Sequence, residues 1–354
     1  LKFIMKWGFL SFITITAVIL MSNISKAFIL EAPDLLRINL SSESTNEEVV
    51  SQLPGSRIVD AKLHIISVPY GRVDEYGKLA SKLPGVFLPR KVQLEKPAFS
   101  FHYYLFSFKE LLLNYSHGDL GLIRTGNYDI PVKKVLKETV VRTCTYLIPG
   151  LIVGVLFSTL LSLVASMWGT IGRLLNSVHA LLSGLPDFLL IILIQLASIY
   201  LTRLTGRNII LVAHYGNHIP FTIPFLAIAL IPGVLIYGTL RLAIEREMKQ
   251  DYITTALAKG LTKREVLFHH VIRNIMSDLL MVMPKATTLA IASMAVAEAM
   301  CDILGLGGYL VSPRVQNISA TPIFCIVLVI IAIIFHVIYA WLSKLFVVKI
   351  GEGA

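Results

Sequence analysis

Five polar or ionisable side chains sit inside otherwise apolar runs: Asp187, Gln195, Lys285, Glu298 and His336. Such groups are costly in hydrocarbon. Their chemistry is that of a polar route between helices, of hydrogen bonding across helices or, for Lys285 and Glu298, of snorkelling to an interface. Asp187, Gln195 and Glu298 are the candidates for a route. Covalent chemistry has no comparable basis. No Ser-His-Asp or paired-carboxylate arrangement can be composed, and G-x-x-x-x-G-K-[ST] does not occur. Leu182-Ser183-Gly184 imitates part of an ATPase signature but lies within an apolar run. His214 and His218 stand four apart with Gly216 between them, and His269 and His270, being adjacent, diverge on a helix. Cys144, Cys301 and Cys325 show no paired spacing and read as free thiols. The chain is expected to catalyse nothing and to bind no metal or cofactor itself.

The elements that must position these groups are membrane spans. Apolar residues make up 55% of the chain and charged residues 15%, with a mean hydropathy of +0.72. A soluble domain carries nearer a quarter charged residues. The net charge of +10 lies largely beside apolar runs, where the positive-inside rule and anionic lipid account for it, so nucleic-acid binding is not expected. The fold class read from this pattern is an all-α polytopic membrane protein with six transmembrane helices and a small extracytoplasmic domain between helices 1 and 2. The expected spans are Phe3 to Met21, Thr143 to Trp168, Val178 to Leu201, Ile219 to Ile244, Leu279 to Met300 and Thr321 to Val348. Each can cross ~30 Å of hydrocarbon.

The first span resembles a signal peptide in its basic start, but Ser25-Lys26-Ala27 is a poor cleavage site. An uncleaved helix (1–22) with a cytoplasmic N-terminus is expected. Residues 23–126 are polar and punctuated by Pro54, Pro69, Pro84, Pro89 and Pro97, and S-x-L-P-G occurs at Ser51 and again at Ser81. Residues 127–142 place Val132, Val135, Leu136 and Val140 on one helix face between lysines, with Pro131 suited to a first turn. This entry helix lies on the outer surface or packs on the outer domain. The five-helix core then occupies 143–348, with a loop at 245–277 and a tail at 349–354. With the N-terminus inside, that loop faces the cytoplasm and carries Arg246, Lys249, Lys259, Lys263, Arg264 and Arg273, as the charge rule requires.

The loop also contains the clearest local signals. Asp251 can cap a helix over Tyr252 to Lys259. Gly260 stands where a helix ends in a left-handed residue. Thr262 and Glu265 have capping-box spacing and open a second short helix, with Leu261 and Val266 placed as a hydrophobic staple.

Gln250-Asp251-Tyr252, Thr255-Ala256, Ala258-Lys259-Gly260-Leu261, Val266-Leu267, His270 and Arg273-Asn274 together resemble the cytoplasmic loop of ABC importer permeases. The likeness is to the dipeptide/oligopeptide/nickel branch and its B-type subunit. Gly118-Asp119-Leu120-Gly121, Pro131-Val132, Pro186 with Phe188, Arg241, and Glu298 with Gly305-Leu306-Gly307 resemble further family landmarks in the right order. Leu304, Thr254, Leu257 and His336 stand where the family has proline, two arginines and aspartate, and the closing D-P-R is missing.

The resemblance implies the type I ABC importer permease fold and a bacterial cytoplasmic-membrane location. It implies that Asp251, Tyr252, Thr255, Ala256, Leu257, Ala258, Lys259 and Gly260 form a coupling helix that docks on a separate ATPase. Ala256 and Ala258 would let that helix approach closely, and Tyr252, Ile253 and Leu257 would anchor it. The implied partners are a C-type permease, two ABC ATPase subunits carrying ATP and magnesium, an extracytoplasmic substrate-binding protein that lands on the outer domain, and the lipid membrane. Peptide is the implied cargo, with nickel or another metal chelate as the alternative. An ion-driven secondary transporter would require inverted repeats, which the sequence does not display, although Pro232-Gly233 and Pro284 interrupt apolar runs. A receptor or anchor would need neither the capped loop nor polar groups in the spans.

Overall fold

The structure, a computed structural model, describes residues 2–41, 45–125, 128–216, 218–312 and 320–346. Val347 and Val348 of the expected last span, the 349–354 tail and the 126–127 boundary lie outside the described residues. The chain divides into two compact units, one of Thr16–Gly121 and the other of Leu1–Ile15 with Leu122–Ala354. The helix α1 (Lys2–Ser22) runs from one into the other.

The smaller unit is built on strands. After α1 come β1 (Phe28–Leu40), α2 (Asn46–Gln52), β2 (Arg57–Asp60), β3 (Ile65–Ser67), α3 (Val73–Ala80), β4 (Val86–Phe99) and α4 (Phe101–Ser116). The sheet is antiparallel in the order β2-β3-β1-β4. On β1, Leu36 and Ile38 are buried while Arg37 and Asn39 are exposed, the alternation of a sheet with one face on a core. That core gathers Val49, Leu53, Ile66, Val73 and Ala80. The two S-x-L-P-G stretches follow α2 and α3, and their glycines share one geometry, Gly55 at φ +79° and Gly85 at φ +78°. Each supplies the left-handed residue after a short helix that glycine adopts at least cost.

The larger unit opens with the hairpin β5 (Leu122–Thr125) and β6 (Tyr128–Pro131). Then follow α5 (Val132–Met167), α6 (Gly169–Ser183), α7 (Asp187–Thr205), α8 (Thr222–Glu247), α9 (Asp251–Ala258), α10 (Lys263–Val266), a π-helical turn (Leu267–Val271), α11 (Ile272–Met300), α12 (Gly308–Val311) and α13 (Thr321–Phe346). Among the described residues five helices are long and apolar enough to cross a membrane: Val132–Met167, Asp187–Thr205, Thr222–Glu247, Lys263–Met300 and Thr321–Phe346. The apolar part of α1, Gly8–Ser22, is shorter.

Several expectations are corrected. No separate entry helix exists among the described residues: Tyr128–Pro131 is a strand, and α5 runs unbroken for 36 residues through the expected second span. The run from Val178 to Leu201 is not one helix; it breaks at Gly184–Pro186, so Asp187 opens α7 rather than lying mid-span. Pro186 is the physical reason, since its ring favours an extended residue before it and supplies no backbone donor. Pro232 and Pro284, by contrast, lie inside continuous helices.

In hydrocarbon, helices are held by close contact rather than by exclusion of water. The pairing of α5 with α8 illustrates this. Gly150, Gly154 and Ser158 recur every fourth residue along α5 and face Ile228, Ala229 and Gly233 of α8. A Cβ at Gly154 would lie 2.7 Å from the Ala229 carbonyl oxygen, and one at Gly233 would lie 2.7 Å from Ser158 Oγ. Gly154→Leu should therefore force the pair apart and cost about 1–3 kcal/mol. Thermal unfolding in detergent checks this: the variant should melt lower, and Gly169→Ala, where a Cβ meets nothing within 4 Å, should not.

Candidate functional site

The elbow at 251–266 is built as a helix, a glycine and a capped helix. Gln250, extended at φ −77° and ψ 149°, is the N-cap of α9, and Asp251 is its first residue rather than its cap. Gly260 has φ +90°, which a side chain would strain. Beyond it, Glu265 N donates to Thr262 Oγ1 (3.3 Å) while Thr262 N donates to Glu265 Oε2 (2.7 Å), closing the capping box. The second helix is not short: α10 passes through the π turn into α11, so the elbow and a membrane span are one rod.

The faces of α9 differ from expectation. Ile253 and Ala256 are buried, and they join Leu240, Ile244, Val266, Val271 and Ile275 in the chain's own core. They attach the elbow to α8 and α11 and are not offered outward. Asp251, Thr254, Thr255, Leu257, Ala258, Lys259 and Gly260 are exposed. The reason is the helical period: positions 253 and 256 share the inward stripe, leaving 254, 255 and 258 opposite. Arg264, past the elbow, lies over the Trp168 ring at 5.5 Å, at the end of α5.

Tyr252 anchors the elbow by a polar contact. Its hydroxyl donates to Glu247 Oε1 (2.5 Å) at the end of α8, and Asn274 Nδ2 of α11 donates to the same oxygen (2.7 Å) and to the Tyr252 oxygen (3.1 Å). The His270 ring lies edge-on to the phenol. Burial and the Glu247 carboxylate push the Tyr252 phenol up to about 12. Tyr252 and Asn274 were legible in the sequence; Glu247 was not, because its role is set by where α8 ends.

A second feature lies at the other end of α11. Glu298 is fully buried. Its Oε1 accepts from Thr143 Oγ1 (2.8 Å) and from the Tyr146 hydroxyl, and its Oε2 accepts from Gly308 N (2.8 Å). Thr143 Oγ1 in turn accepts from Leu306 N (2.9 Å), and Arg142 Nη1 donates to Leu304 O (2.9 Å). The Gly305-Leu306-Gly307 turn is thus wrapped around one carboxylate and tied to α5. A Cβ at Gly305 would fall on that carboxylate. Gln195 is likewise committed, donating to Met300 O (3.3 Å) and contacting Cys301 Sγ (3.6 Å).

Asp187 is placed differently. It accepts from Ser293 Oγ (3.3 Å) and lines a cavity of about 610 Å³ between α6, α7 and α8, with Asn176, His179, Tyr237 and Arg241 on its walls. The Tyr237 hydroxyl donates to Asn176 Oδ1 (2.7 Å), and Arg241 Nη1 to Ser166 Oγ (3.3 Å). Neither Gln195 nor Glu298 reaches this cavity. Asn176 and His179 escaped the sequence reading, although their three-residue spacing puts both on one face of α6. Of the other polar groups in the spans, His336 Nε2 lies 3.3 Å from Pro284 O, an interhelical contact, and Lys285 is exposed.

The larger unit is thus a helical membrane unit with a capped elbow at one end of α11 and a glycine-wrapped carboxylate at the other. The chain belongs to the family described as binding-protein-dependent transport system inner membrane component, which it matches over residues 150–351. It is similar to the dipeptide transport system permease protein DppB of Bacillus subtilis (strain 168), at 26% identity over 189 residues. That match covers 51% of this chain and 59% of the relative, so the chain spans about three-fifths of the curated protein it matches. The likeness to ABC importer permeases is borne out, as is its multi-pass membrane character.

Two measurements check the polar anchors. Glu298→Ala leaves several buried donors unanswered and should cost about 3 kcal/mol or more. Protease cleavage within 301–312 should rise, and unchanged resistance would mean the carboxylate holds nothing. The raised Tyr252 value means that its contribution to stability is complete below the unfolded value of about 10 and is lost as pH climbs toward about 12. The alkaline absorbance difference between the native chain and Tyr252→Phe should show a phenol titrating near 12; a midpoint near 10 would place the ring in free solvent.

Proposed function

We propose that the chain is the B-type permease of an ATP-driven importer of short peptides, half of a translocation path shared with a C-type permease. The observation that carries this reading is the elbow: α9 packs its inner face into the core of the spans and leaves its outer face bare. A subunit pressing on Thr254, Thr255, Leu257 and Ala258 would move α8 and α11 directly, because Ile253 and Ala256 pack against those helices and Tyr252 is hydrogen-bonded to both. Two ABC ATPase subunits, holding ATP and magnesium, are the partners suited to that role. Peptide is favoured because the Bacillus subtilis relative is named a dipeptide transport permease.

In this reading α1 is the sixth span, the N-terminus is cytoplasmic, and the sheet-bearing unit lies outside the membrane as a landing surface for a binding protein. Asp187, with Asn176 and His179 beside it, lines the polar route, whereas Glu298 and Gln195 brace the outer ends of the helices.

Gly260→Val strains the left-handed residue that sets the elbow. The variant should reach the membrane at normal levels while ATP-driven peptide uptake falls at least tenfold. A mild-detergent pull-down of the native chain should bring two ATPases and a second permease. Normal uptake by the variant, isolation of the chain alone, or uptake of nickel in place of peptide would each count against the reading.

A further inference from the structure

The Asp187 cavity holds two opposite charges that are not paired with each other. Asp187, the first residue of α7, forms no ion pair among the described residues. Its hydrogen-bond neighbour, Ser293 Oγ at 3.3 Å, also reaches the Leu289 carbonyl oxygen at 2.9 Å and has one proton to divide between them. Arg241 of α8 likewise forms no ion pair among the described residues. Its Nη1 donates to Ser166 Oγ, and its buried Nε meets no acceptor among them. Glu245, the remaining carboxylate on the wall, is taken by Lys249 at 3.0 Å.

A lone cation in this cavity would answer Asp187 and leave Arg241 uncompensated, and a lone anion would do the reverse. A molecule carrying one ammonium and one carboxylate answers both, through charge-assisted hydrogen bonds, which are the stronger kind. The rest of the wall suits what joins such ends in a peptide. Asn176 spends its Oδ1 on the Tyr237 hydroxyl and keeps its amide donors for a backbone carbonyl. Leu182, Leu185, Leu190, Ile231, Val234 and Leu289 offer an apolar surface to side chains. The volume of about 610 Å³ is that of a site for a small ligand.

We propose that Asp187 receives the free ammonium end of a short peptide and Arg241 its free carboxylate, so that the permease itself selects peptides with both ends unblocked. The two residues are specificity determinants within the polar route. The inference rests on the reading of the chain as a peptide permease and adds which parts of the cargo are recognised, and by which side chains.

Leu185 lies on the cavity wall two residues before Asp187, so Leu185→Cys reports occupancy once Cys144, Cys301 and Cys325 are replaced by alanine. The full chain is held in membrane vesicles, and the rate of maleimide labelling is followed with leucyl-leucine, its N-acetyl form or its C-terminal amide present. The free dipeptide should protect the reporter at roughly tenfold lower concentration than either blocked form, the scale of one charge-assisted contact. Asp187→Asn should erase the difference between free and acetylated peptide and keep that between free and amidated peptide. Arg241→Gln should do the opposite, and Asp187→Glu with Arg241→Lys should retain both differences. Absence of protection in the chain with Asp187 and Arg241 intact, equal protection by all three peptides, or loss of both differences on either single substitution would overturn the proposal. Uptake of labelled leucyl-leucine by cells carrying the native transporter is measured in parallel. Uptake without protection defeats the cavity assignment alone, whereas absence of uptake defeats the peptide reading beneath it.

Discussion

In a bilayer no water drives apolar helices together, and the close approach of α5 to α8 is therefore the contact on which the rest of the larger unit depends. It exists because Gly154 and Gly233 present no side chain to Ala229 and Ser158. With those two helices in register, the remaining helices dock against fixed surfaces: α11 along α8, α13 along α11, and α7 against both. Polar contacts then lock what packing has brought near. Glu298 reaches Thr143 and Tyr146 at one end, Thr287 bonds Tyr339 (2.8 Å) between α11 and α13, and Tyr252 joins α8 to α11 at the other end.

These locks differ in kind. The Glu298 carboxylate is met by side-chain and backbone donors and is enclosed, so the turn around it has one arrangement. The Tyr252 contact is only partly enclosed, and its partners sit on helices that end nearby. The transport role proposed above would use both: an end that stays assembled, and an end where a small displacement is carried along stiff helices. The continuity of α10 with α11 suits the second role, because no loop intervenes to absorb the motion.

The sequence made some of this plain and left some of it hidden, for identifiable reasons. Gly260 and the Thr262–Glu265 box were legible because caps are local, encoded within a few residues. Most of the spans were legible because apolar runs are long. The break before Asp187 was hidden by an apolar run in which helix and loop carry the same composition, with Pro186 its only trace. The inward face of α9 could not be read, since eight residues of mixed character fit either orientation until α8 and α11 are in place. The donors around Glu298 were out of reach for another reason: Thr143 lies 155 residues away in the chain. The strands of the smaller unit were missed because their apolar residues alternate in short, proline-punctuated stretches.

The π turn at Leu267–Val271 has a consequence of its own. There Ile272 N bonds to Leu267 O, five residues back, so one extra residue is taken up without a break in the rod. An added residue rotates everything beyond it by about 100° relative to an uninterrupted α-helix. The turn therefore acts as a clocking device. It lets Val266 and Leu267, next to the elbow, point into the core while Asn274 still meets Glu247 and Tyr252 and Ile275 still faces α8. Val266 and Leu267 where the turn begins and Ile275 and Leu279 after it thereby all reach the same core.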